Sequence, residues 1–303
     1  MSDQHLATPT GDLRRPTLPD PVSVLTLLKP ITWFAPMWAF GCGIVSSGMT
    51  LQPRWPVIVA GVVLAGPMMC GTSQAVNDWF DRHVDAINEP GRPIPSGRIP
   101  GQWGLLIAIA WTVLSVVLAV TLGPWVSVAA AAGMVLAWAY SAPPVRLKRD
   151  GWIGNLAVGI SYEGLPWFAG AALMLGAFPQ PHVIVAALIY SLGAHGIMTL
   201  NDFKSIEGDR RTGVASLPAR LGEANACRIA CLVMTLSQLA MSALLGVWGL
   251  PIYGAAVAGL LLVQLLLMLR LLEAPRLRAP WYNGTGTTLY VIGMLVTAFA
   301  IRP

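Results

Sequence analysis

The sequence predicts an all-α, polytopic membrane protein with nine transmembrane helices. Of its 303 residues, 55% are hydrophobic and 11% are charged, and the charges lie almost entirely outside nine apolar stretches. Across all nine stretches there is a single charged side chain, Glu163. Because a helix needs about 20 apolar residues to cross a hydrocarbon core, each stretch predicts one span. In order, the stretches are 31–50, 57–76, 104–122, 125–140, 152–175, 182–200, 229–248, 250–269 and 285–301.

The connections between these spans differ in charge. Of the 19 Lys and Arg residues, only Arg54 and Arg302 fall on one side, and the others fall in the N-terminal tail and around the connections after spans 2, 4, 6 and 8. Positive charge is retained in the cytoplasm, so we expect a cytoplasmic N-terminus and a periplasmic C-terminus. Residues 1–25 are polar and Pro-rich and predict a flexible cytoplasmic tail, and residues 26–303 predict a single domain.

This composition excludes several classes of protein. Nine spans leave no room for a separate soluble domain, and an outer-membrane barrel would alternate polar and apolar residues. The net charge of +5 follows from topology, so nucleic acid is not an expected partner. Cys227 and Cys231 are four residues apart but have no nearby His or second Cys pair to complete a zinc site.

Polar residues cluster at the end of the second span. Asn77, Asp78, Asp81 and Asp85 fall within an arc of about 100° on a helix, so one face presents three carboxylates and an amide. A second window, 124 residues later, begins again with Asn and Asp. If helical, it places Asn201, Asp202, Ser205 and Asp209 on one arc, with Glu207 pointing elsewhere unless Gly208 bends the chain.

Carboxylates crowded on one face repel each other unless cations lie beside them. Mg²⁺ prefers oxygen ligands and commonly bridges carboxylates to substrate phosphates, so two facing windows predict a diphosphate held through Mg²⁺. The alternative is a pair of solvated acidic helix ends neutralised by Arg82, Arg210 and Arg211. The repeated Asn-Asp start at matching membrane depth favours the metal site. The predicted metal ligands are Asn77, Asp78, Asp81, Asp85, Asn201, Asp202 and Asp209.

Basic side chains in the adjoining loops are candidates for holding a diphosphate. Arg92 and Lys148 are the strongest of these, in the Pro- and Gly-rich loop at 88–98 and in the run 140–149. The alternative, positive charge that only anchors the topology, applies to each of them. The full predicted set is Arg82, Arg92, Arg146, Lys148, Lys204 and Arg210.

The motifs resemble those of the UbiA-type intramembrane prenyltransferases. The resemblance rests on the runs Asn77–Arg98, Tyr140–Lys148 and Asn201–Pro218, and it covers the chain from about residue 25 to its end. Within these runs, Asp85–Pro90 leading into Arg92–Gly97 is similar to the chlorophyll and bacteriochlorophyll synthases. The run Gly213–Gly222 is closer to the bacteriochlorophyll enzymes of purple bacteria. Ser205 stands where many other relatives have an acidic residue, so the second ligand set departs from the wider family.

The resemblance implies a UbiA-like fold with an intramembrane cavity and Mg²⁺ as the cofactor. It implies an enzyme of the inner photosynthetic membrane whose site faces the cytoplasm. The reaction that the resemblance implies is esterification of the propionate of bacteriochlorophyllide a with a geranylgeranyl or phytyl group from the prenyl diphosphate, as the last step of bacteriochlorophyll synthesis. Asp78, Asp81, Asp202, Arg92 and Lys148 are the predicted catalytic residues.

Three further residues are candidates for binding the acceptor. Glu163 is an ionisable group inside a span, which is costly and therefore a functional candidate, although it is also interpretable as a group that satisfies a kinked backbone near Pro166. His195 lies two turns before Asp202, where it either contacts the pigment or bonds a helix carbonyl. Tyr140 begins the second basic run.

Other functions remain open at this point. The acceptor of a prenyltransferase with these motifs is also interpretable as chlorophyllide or another molecule. A cation-coupled transporter would use acidic residues, but its sites belong near the bilayer midplane. An inactive pigment-holding assembly factor would need no diphosphate site. The sequence leaves open a homo-oligomer and pigment-assembly partners.

Overall fold

A computed structural model describes residues 18–303, which fold into helices joined by short loops. Regular structure in this range is helical apart from one parallel bridge between Asp150 and Ala215. The helices are α1 (Pro21–Leu28), α2 (Phe34–Ser46), α3 (Trp55–Val63), α4 (Gly71–Asn88), α5 (Trp103–Thr121), α6 (Pro124–Ser141), α7 (Gly151–Gly159), α8 (Leu165–Leu175), α9 (Pro181–Asn201), α10 (Ile206–Thr212), α11 (Leu217–Leu221), α12 (Glu223–Val247), α13 (Pro251–Glu273) and α14 (Pro275–Ala300).

Helix α1 corrects the predicted tail. Asp20 caps it by accepting a 2.9 Å hydrogen bond from the Ser23 amide, and Pro21 suits the first helical turn, where no amide donor is needed. Residues 21–25, which the composition assigned to a flexible tail, are therefore helical. The rest of the predicted tail, residues 1–17, lies outside the described residues.

Two long helical rods contain π-helical segments. In the first, Leu64–Cys70 joins α3 to α4 and contains Pro67, and in the second, Ile160–Gly164 joins α7 to α8 just before Pro166. Proline lacks an amide donor, and its ring clashes with the carbonyl four residues earlier. A local change in helix winding relieves this conflict. Both rods continue through their π segments without a loop.

The outer surface of the bundle is apolar, as lipid contact requires. Val117 and Leu262 are 57% and 65% exposed, whereas Trp167, Tyr190 and Tyr290 are fully buried in the core. Six helices are long and apolar enough to cross a membrane: Trp55–Asn88, Trp103–Thr121, Pro124–Ser141, Pro181–Lys204, Glu223–Val247 and Pro251–Glu273. The protein is therefore a multi-pass membrane protein. The remaining three predicted spans overlap α2, α7–α8 and α14, and the total of nine crossings stays a prediction.

Glycine lets α2 and α8 approach closely. A Cβ on Gly43 would lie 2.0 Å from the Trp167 carbonyl oxygen, and one on Gly170 would lie 2.1 Å from that of Phe40. Small residues at membrane helix crossings allow such backbone contact. This crossing holds two walls of the cavity described next.

Candidate active site

A cavity of about 1310 Å³ lies between α2, the two π-containing rods, α6 and α9. One end is polar, because the loops after α4, α6 and α9 all converge on it. The remainder is lined mainly by small and apolar side chains such as Leu64, Val126 and Ala129. We call the end lined by Asp81, Lys148 and Asp202 the polar mouth. An apolar cavity with a charged mouth suits a ligand that has a charged head and a hydrocarbon body.

The first acidic window presents Asp81 to the polar mouth. Lys148 Nζ lies 2.5 Å from both carboxylate oxygens of Asp81, and Arg146 lies 3.8 Å from one of them. The Asn77 amide donates to Asp81 and to Ser141, each at 3.1 Å. Asn77 and Asp81 together therefore connect α4 to α6 and to the loop after α6.

Asp78 lies one residue beyond Asn77 and is only 1% exposed. It accepts a 2.7 Å bond from Lys29 and a 3.2 Å bond from Arg92. Arg92 also reaches Asp85 at 2.9 Å and makes a two-pronged contact with Glu89. Unlike Asp81 and Asp85, Asp78 does not line the cavity. Asp78, a predicted metal ligand, therefore lies outside the cavity lining, where its carboxylate pairs with the side chains of Lys29 and Arg92.

Lys29 was not predicted as a site residue, because a positive charge just before the first span is explained by membrane topology alone. It lines the cavity and has a left-handed φ of 48°. Arg146, at the same mouth, has φ 45°, and no other non-glycine residue in the range 18–303 has a positive φ. Such backbone conformations cost energy and cluster at functional sites. The signal in the sequence was a lone Lys directly before the first span.

The second window is not the single helix that the arc assumed. Asp202–Lys204 forms one 3₁₀ turn. Ser205, with φ −110° and ψ 6°, is not helical and separates this turn from α10, which begins at Ile206. Asp202 and Asp209 nevertheless both line the cavity. The hydroxyls of Ser205 and Ser216 donate hydrogen bonds to the Asp209 carboxylate at 3.1 and 2.5 Å.

Asn155 on α7 supports Asp202. Its amide donates to Asp202 at 3.0 Å and to Thr199 at 3.2 Å. Asn201 accepts a 2.7 Å bond from Asn283 on α14. Neither Asn155 nor Asn283 was predicted, because each is remote in sequence from the window that it supports.

Burial and pairing shift the acid–base behaviour of the loops. Burial lowers the pKa of the Lys148 ammonium, against the attraction of Asp81. Burial also raises the pKa of the Asp209 carboxyl, against the hydrogen bonds from Ser216 and Ser205. The hydrogen bond from Arg92 lowers the pKa of Glu89, against burial. The mouth thus holds charged groups that are only partly hydrated.

The donor set at the mouth fits a hard divalent cation. Carboxylate and amide oxygens from both windows line one cavity, namely those of Asn77, Asp81, Asp85, Asn201, Asp202 and Asp209. Mg²⁺ prefers such oxygen ligands. Within residues 18–303, however, no three His, Cys, Asp or Glu side chains close around one point. The carboxylates of the first window are instead neutralised by Lys29, Arg92 and Lys148.

The structure does not bring every predicted residue to the cavity. The Arg82 guanidinium stacks 4.0 Å from the Trp79 ring and donates to the Trp79 carbonyl, so it does not line the cavity. Arg210 is exposed outside it. His195 stacks on Trp152, with 5.3 Å between ring centroids, and also lies outside the lining. Glu207 pairs with Arg276 at 2.7 Å and also lines the cavity. Lys204, Tyr140 and Glu163 do line the cavity.

Comparison with known proteins identifies the class of enzyme. The chain matches the UbiA prenyltransferase family over residues 27–299, and it belongs to this family. A UbiA homolog from Archaeoglobus fulgidus bound to GPP and Mg²⁺ has a similar fold, with a TM-score of 0.72 at 19% identity over 92% of this chain and 98% of that one. The predicted family and helical fold class are therefore confirmed, and the protein is a prenyltransferase.

Two relatives indicate the subfamily within the UbiA prenyltransferases. The chain is 54% identical to the bacteriochlorophyll synthase 33 kDa chain of Cereibacter sphaeroides over 286 residues, which cover 94% of this chain and 95% of the relative. It is 40% identical to the chloroplastic chlorophyll synthase of Oryza sativa over 289 residues, 91% of this chain and 76% of that protein. The subfamily predicted from the run Asp85–Pro90 is thereby confirmed.

Proposed function

We propose that this protein transfers a geranylgeranyl or phytyl group from its diphosphate to the propionate carboxylate of bacteriochlorophyllide a. The observation that carries the proposal is the meeting of two acidic windows and several cations at the mouth of one large apolar cavity. The high identity to a bacteriochlorophyll synthase supports the choice of acceptor.

The polar mouth binds the diphosphate in this proposal. Mg²⁺, held by the oxygen donors of Asn77, Asp81, Asp85, Asn201, Asp202 and Asp209, would supply positive charge to the phosphate oxygens when bound. Lys148 and Arg146 reach Asp81 from one side of the mouth. Lys29 and Arg92 lie on another side, anchored by the buried Asp78. These cations are positioned before the substrate arrives, so little reorganisation is needed.

The reaction replaces one carbon–oxygen bond by another. The bond between the allylic carbon and the diphosphate oxygen breaks, and its electron pair leaves with the diphosphate. A propionate oxygen supplies the pair for the new ester bond. A carboxylic acid with an ordinary pKa of about 4 is already ionised at neutral pH, so the protein needs no strong base. Lys148 and Arg92 stabilise the negative charge that develops on the leaving group.

The apolar part of the cavity holds the hydrocarbon of both substrates. Its lining by Leu64, Val126 and Ala129 excludes water, and water would otherwise capture the allylic cation. The small side chains leave room for a long chain beside a flat ring. This division, charged at the mouth and apolar inside, orients both reacting groups toward the mouth.

We also infer that the mouth faces the cytoplasm of a photosynthetic inner membrane. The loops that form it carry the Lys and Arg residues that the positive-inside rule retains there. The variant Ser96→Cys, in the exposed part of the loop after α4, would then react with an impermeant reagent in inside-out vesicles but not in right-side-out ones. The opposite labelling pattern would reverse the assigned orientation.

Product analysis tests the proposed reaction. Purified protein is incubated with Mg²⁺, bacteriochlorophyllide a and geranylgeranyl diphosphate, and the pigment product and free diphosphate are quantified. We expect an ester with the mass of the prenylated pigment and one diphosphate per ester. Absence of ester with both geranylgeranyl and phytyl diphosphate would overturn the proposal. The Asp81→Asn variant controls for non-enzymatic transfer.

A further inference from the structure

Glu163 is a buried carboxyl group that the chemistry above does not use. It lies on the π segment Ile160–Gly164, lines the cavity and is 5% exposed. Its Oε2 atom has no hydrogen-bond partner in the part of the chain that the structure describes, and no cation there lies within ion-pair distance. A buried polar atom without a partner is costly, so a ligand that supplies the partner would gain binding energy.

The depth of Glu163 indicates which part of a ligand it meets. Asn155, on the same rod, bonds Asp202 and so marks the level of the polar mouth. Glu163 follows eight residues later, which places it roughly 12 Å further along the helix axis at 1.5 Å per residue. The diphosphate and the propionate react at the mouth. The partner of Glu163 is therefore a group remote from both.

The prenyl chain cannot be that partner, because its body is hydrocarbon and offers no hydrogen-bonding atom. The acceptor ring can. A neutral carboxylic acid donates one hydrogen bond, and an ionised carboxylate without a counter-cation is strongly disfavoured at membrane depth. If Glu163 donates a hydrogen bond, the pigment ring must carry a carbonyl or similar hydrogen-bond acceptor on the side away from its propionate.

We propose that Glu163 donates a hydrogen bond to the 3-acetyl carbonyl of bacteriochlorophyllide a and so selects this ring over rings with a 3-vinyl group. This inference rests on the proposed function. The ring keto group lies beside the propionate-bearing edge, whereas the acetyl group lies across the macrocycle from it. The acetyl group is thus the hydrogen-bond acceptor that reaches the depth of Glu163 when the propionate is at the mouth.

A matched pair of acceptors tests the inference. Bacteriochlorophyllide a and its 3-vinyl analogue differ only at this substituent, and kcat/KM is measured for each with geranylgeranyl diphosphate. In Glu163→Leu we expect about a 10-fold loss with the acetyl acceptor, since one buried hydrogen bond is removed, and a change within about twofold with the vinyl acceptor. Glu163→Gln retains an N–H donor and should keep most of the preference for acetyl.

Ser161→Ala is the control variant, because Ser161 lines the same cavity on the same π segment. It should leave the acetyl-to-vinyl ratio unchanged. If the acetyl-to-vinyl ratio of kcat/KM were unchanged in Glu163→Leu, whether both values fell equally or neither fell, the assignment of Glu163 would be overturned.

A spectroscopic measurement on the unaltered protein does not depend on how the variants fold. Resonance Raman spectra of bound bacteriochlorophyllide a should show the acetyl carbonyl stretch lowered from its free frequency. A free acetyl frequency in the wild-type complex would overturn the inference while ester formation continued. Absence of ester from wild-type protein with any ring would instead overturn the proposed function itself.

Discussion

Asp78 and Asp81 lie one turn apart on α4, yet their surroundings give them different roles. Asp81 is 21% exposed and faces the cavity, whereas Asp78 is buried between Lys29 and Arg92. A helical wheel cannot distinguish them, because both fall on the same arc. The distinction comes from Lys29, which lies 49 residues before Asp78 in the sequence. Asp81 therefore faces the cavity where the proposed metal and substrate would lie, whereas Asp78 contacts Lys29 and Arg92.

Replacing Asp81 tests its role at the mouth. Asp81→Asn keeps the side-chain shape but removes the charge that faces Lys148, and we expect turnover to fall about 10²- to 10³-fold, as when one transition-state contact is lost. The rate is measured across a Mg²⁺ titration. Glu273→Gln, which alters an exposed ion pair with Arg278 outside the cavity lining, should leave turnover near the wild-type value. Near-normal activity of Asp81→Asn at limiting Mg²⁺ would contradict the assignment.

Arg92 is the second residue whose replacement is informative. It contacts Asp78, Asp85 and Glu89, and charge-assisted bonds of this kind contribute about 1.5 to 3 kcal/mol each. We expect Arg92→Ala to weaken binding of a non-reactive prenyl diphosphate analogue by about 10-fold or more, with little effect on pigment binding. Both affinities are measured by titration. A matching loss of pigment binding would favour a general folding role for Arg92.

The sequence predicted which residues share the cavity where they lie on one continuous helix. Asn77, Asp81 and Asp85 line one cavity because α4 is continuous from Gly71 to Asn88. Arg82, one residue after Asp81, is turned by about 100° on the helix and stacks on Trp79, so the same helical geometry argued against assigning it to the diphosphate. Asn155 carries no local signal, and the one signal for Lys29 is its place directly before the first span, so tertiary folding decides that both reach the site.

At the scale of elements, α2 and α8 illustrate how close packing supports the cavity. A Cβ added at Gly43 meets the backbone of Trp167, which cannot move aside as a flexible side chain would. We expect Gly43→Ala to destabilise the protein by about 1 to 3 kcal/mol, the usual cost of overpacking. Gly41→Ala, on the same helix with no atom within 4 Å of the added Cβ, is the matched control.

Thermal unfolding of the detergent-solubilised protein measures this difference. The melting temperature of Gly43→Ala should fall clearly below that of Gly41→Ala, since α helix propensity changes equally in both variants. Equal melting temperatures would show that the α2–α8 contact relaxes without cost. A parallel loss of activity in Gly43→Ala is expected, because α2 and α8 both contribute cavity walls.

Irregular segments mark the limit of the sequence prediction for elements. The apolar stretches located the long helices because membrane spans are continuous and apolar. The π segments at Leu64–Cys70 and Ile160–Gly164 and the 3₁₀ turn at Asp202–Lys204 were not predicted. Their geometry depends on a few backbone hydrogen bonds and on packing, which leave no periodic pattern in the residues. These same segments supply Glu163 and Asp202 to the cavity.

For the whole molecule, the two windows predict that activity needs a divalent cation. Their oxygen donors line one cavity, although in the described residues they do not close around a metal. We expect EDTA to stop diphosphate release and Mg²⁺ to restore it, while bacteriochlorophyllide still binds. Ca²⁺ should restore less, because it is larger and takes more ligands. Full turnover in EDTA would contradict the prediction that the reaction depends on a divalent cation at the polar mouth.

The choice of acceptor also belongs to the whole molecule, because it depends on how mouth and cavity together hold a ring. The subfamily-like run Gly213–Gly222 follows α10 and contains Ser216, which donates a hydrogen bond to Asp209 at the mouth. From this resemblance we predict a preference for bacteriochlorophyllide a over chlorophyllide a. The rings differ in saturation and one peripheral substituent, and contacts of that size discriminate by about 1 to 3 kcal/mol, or roughly 10- to 200-fold.

Direct competition measures this preference. Both acceptors are supplied at equal concentration with geranylgeranyl diphosphate, and the two esters are separated and quantified from one reaction. Because the acceptors share one enzyme and one donor, the product ratio reports the ratio of their kcat/KM values alone. A ratio near one, or a bias toward chlorophyllide a, would show that the cavity does not distinguish the rings in the predicted direction, even with prenyl transfer intact.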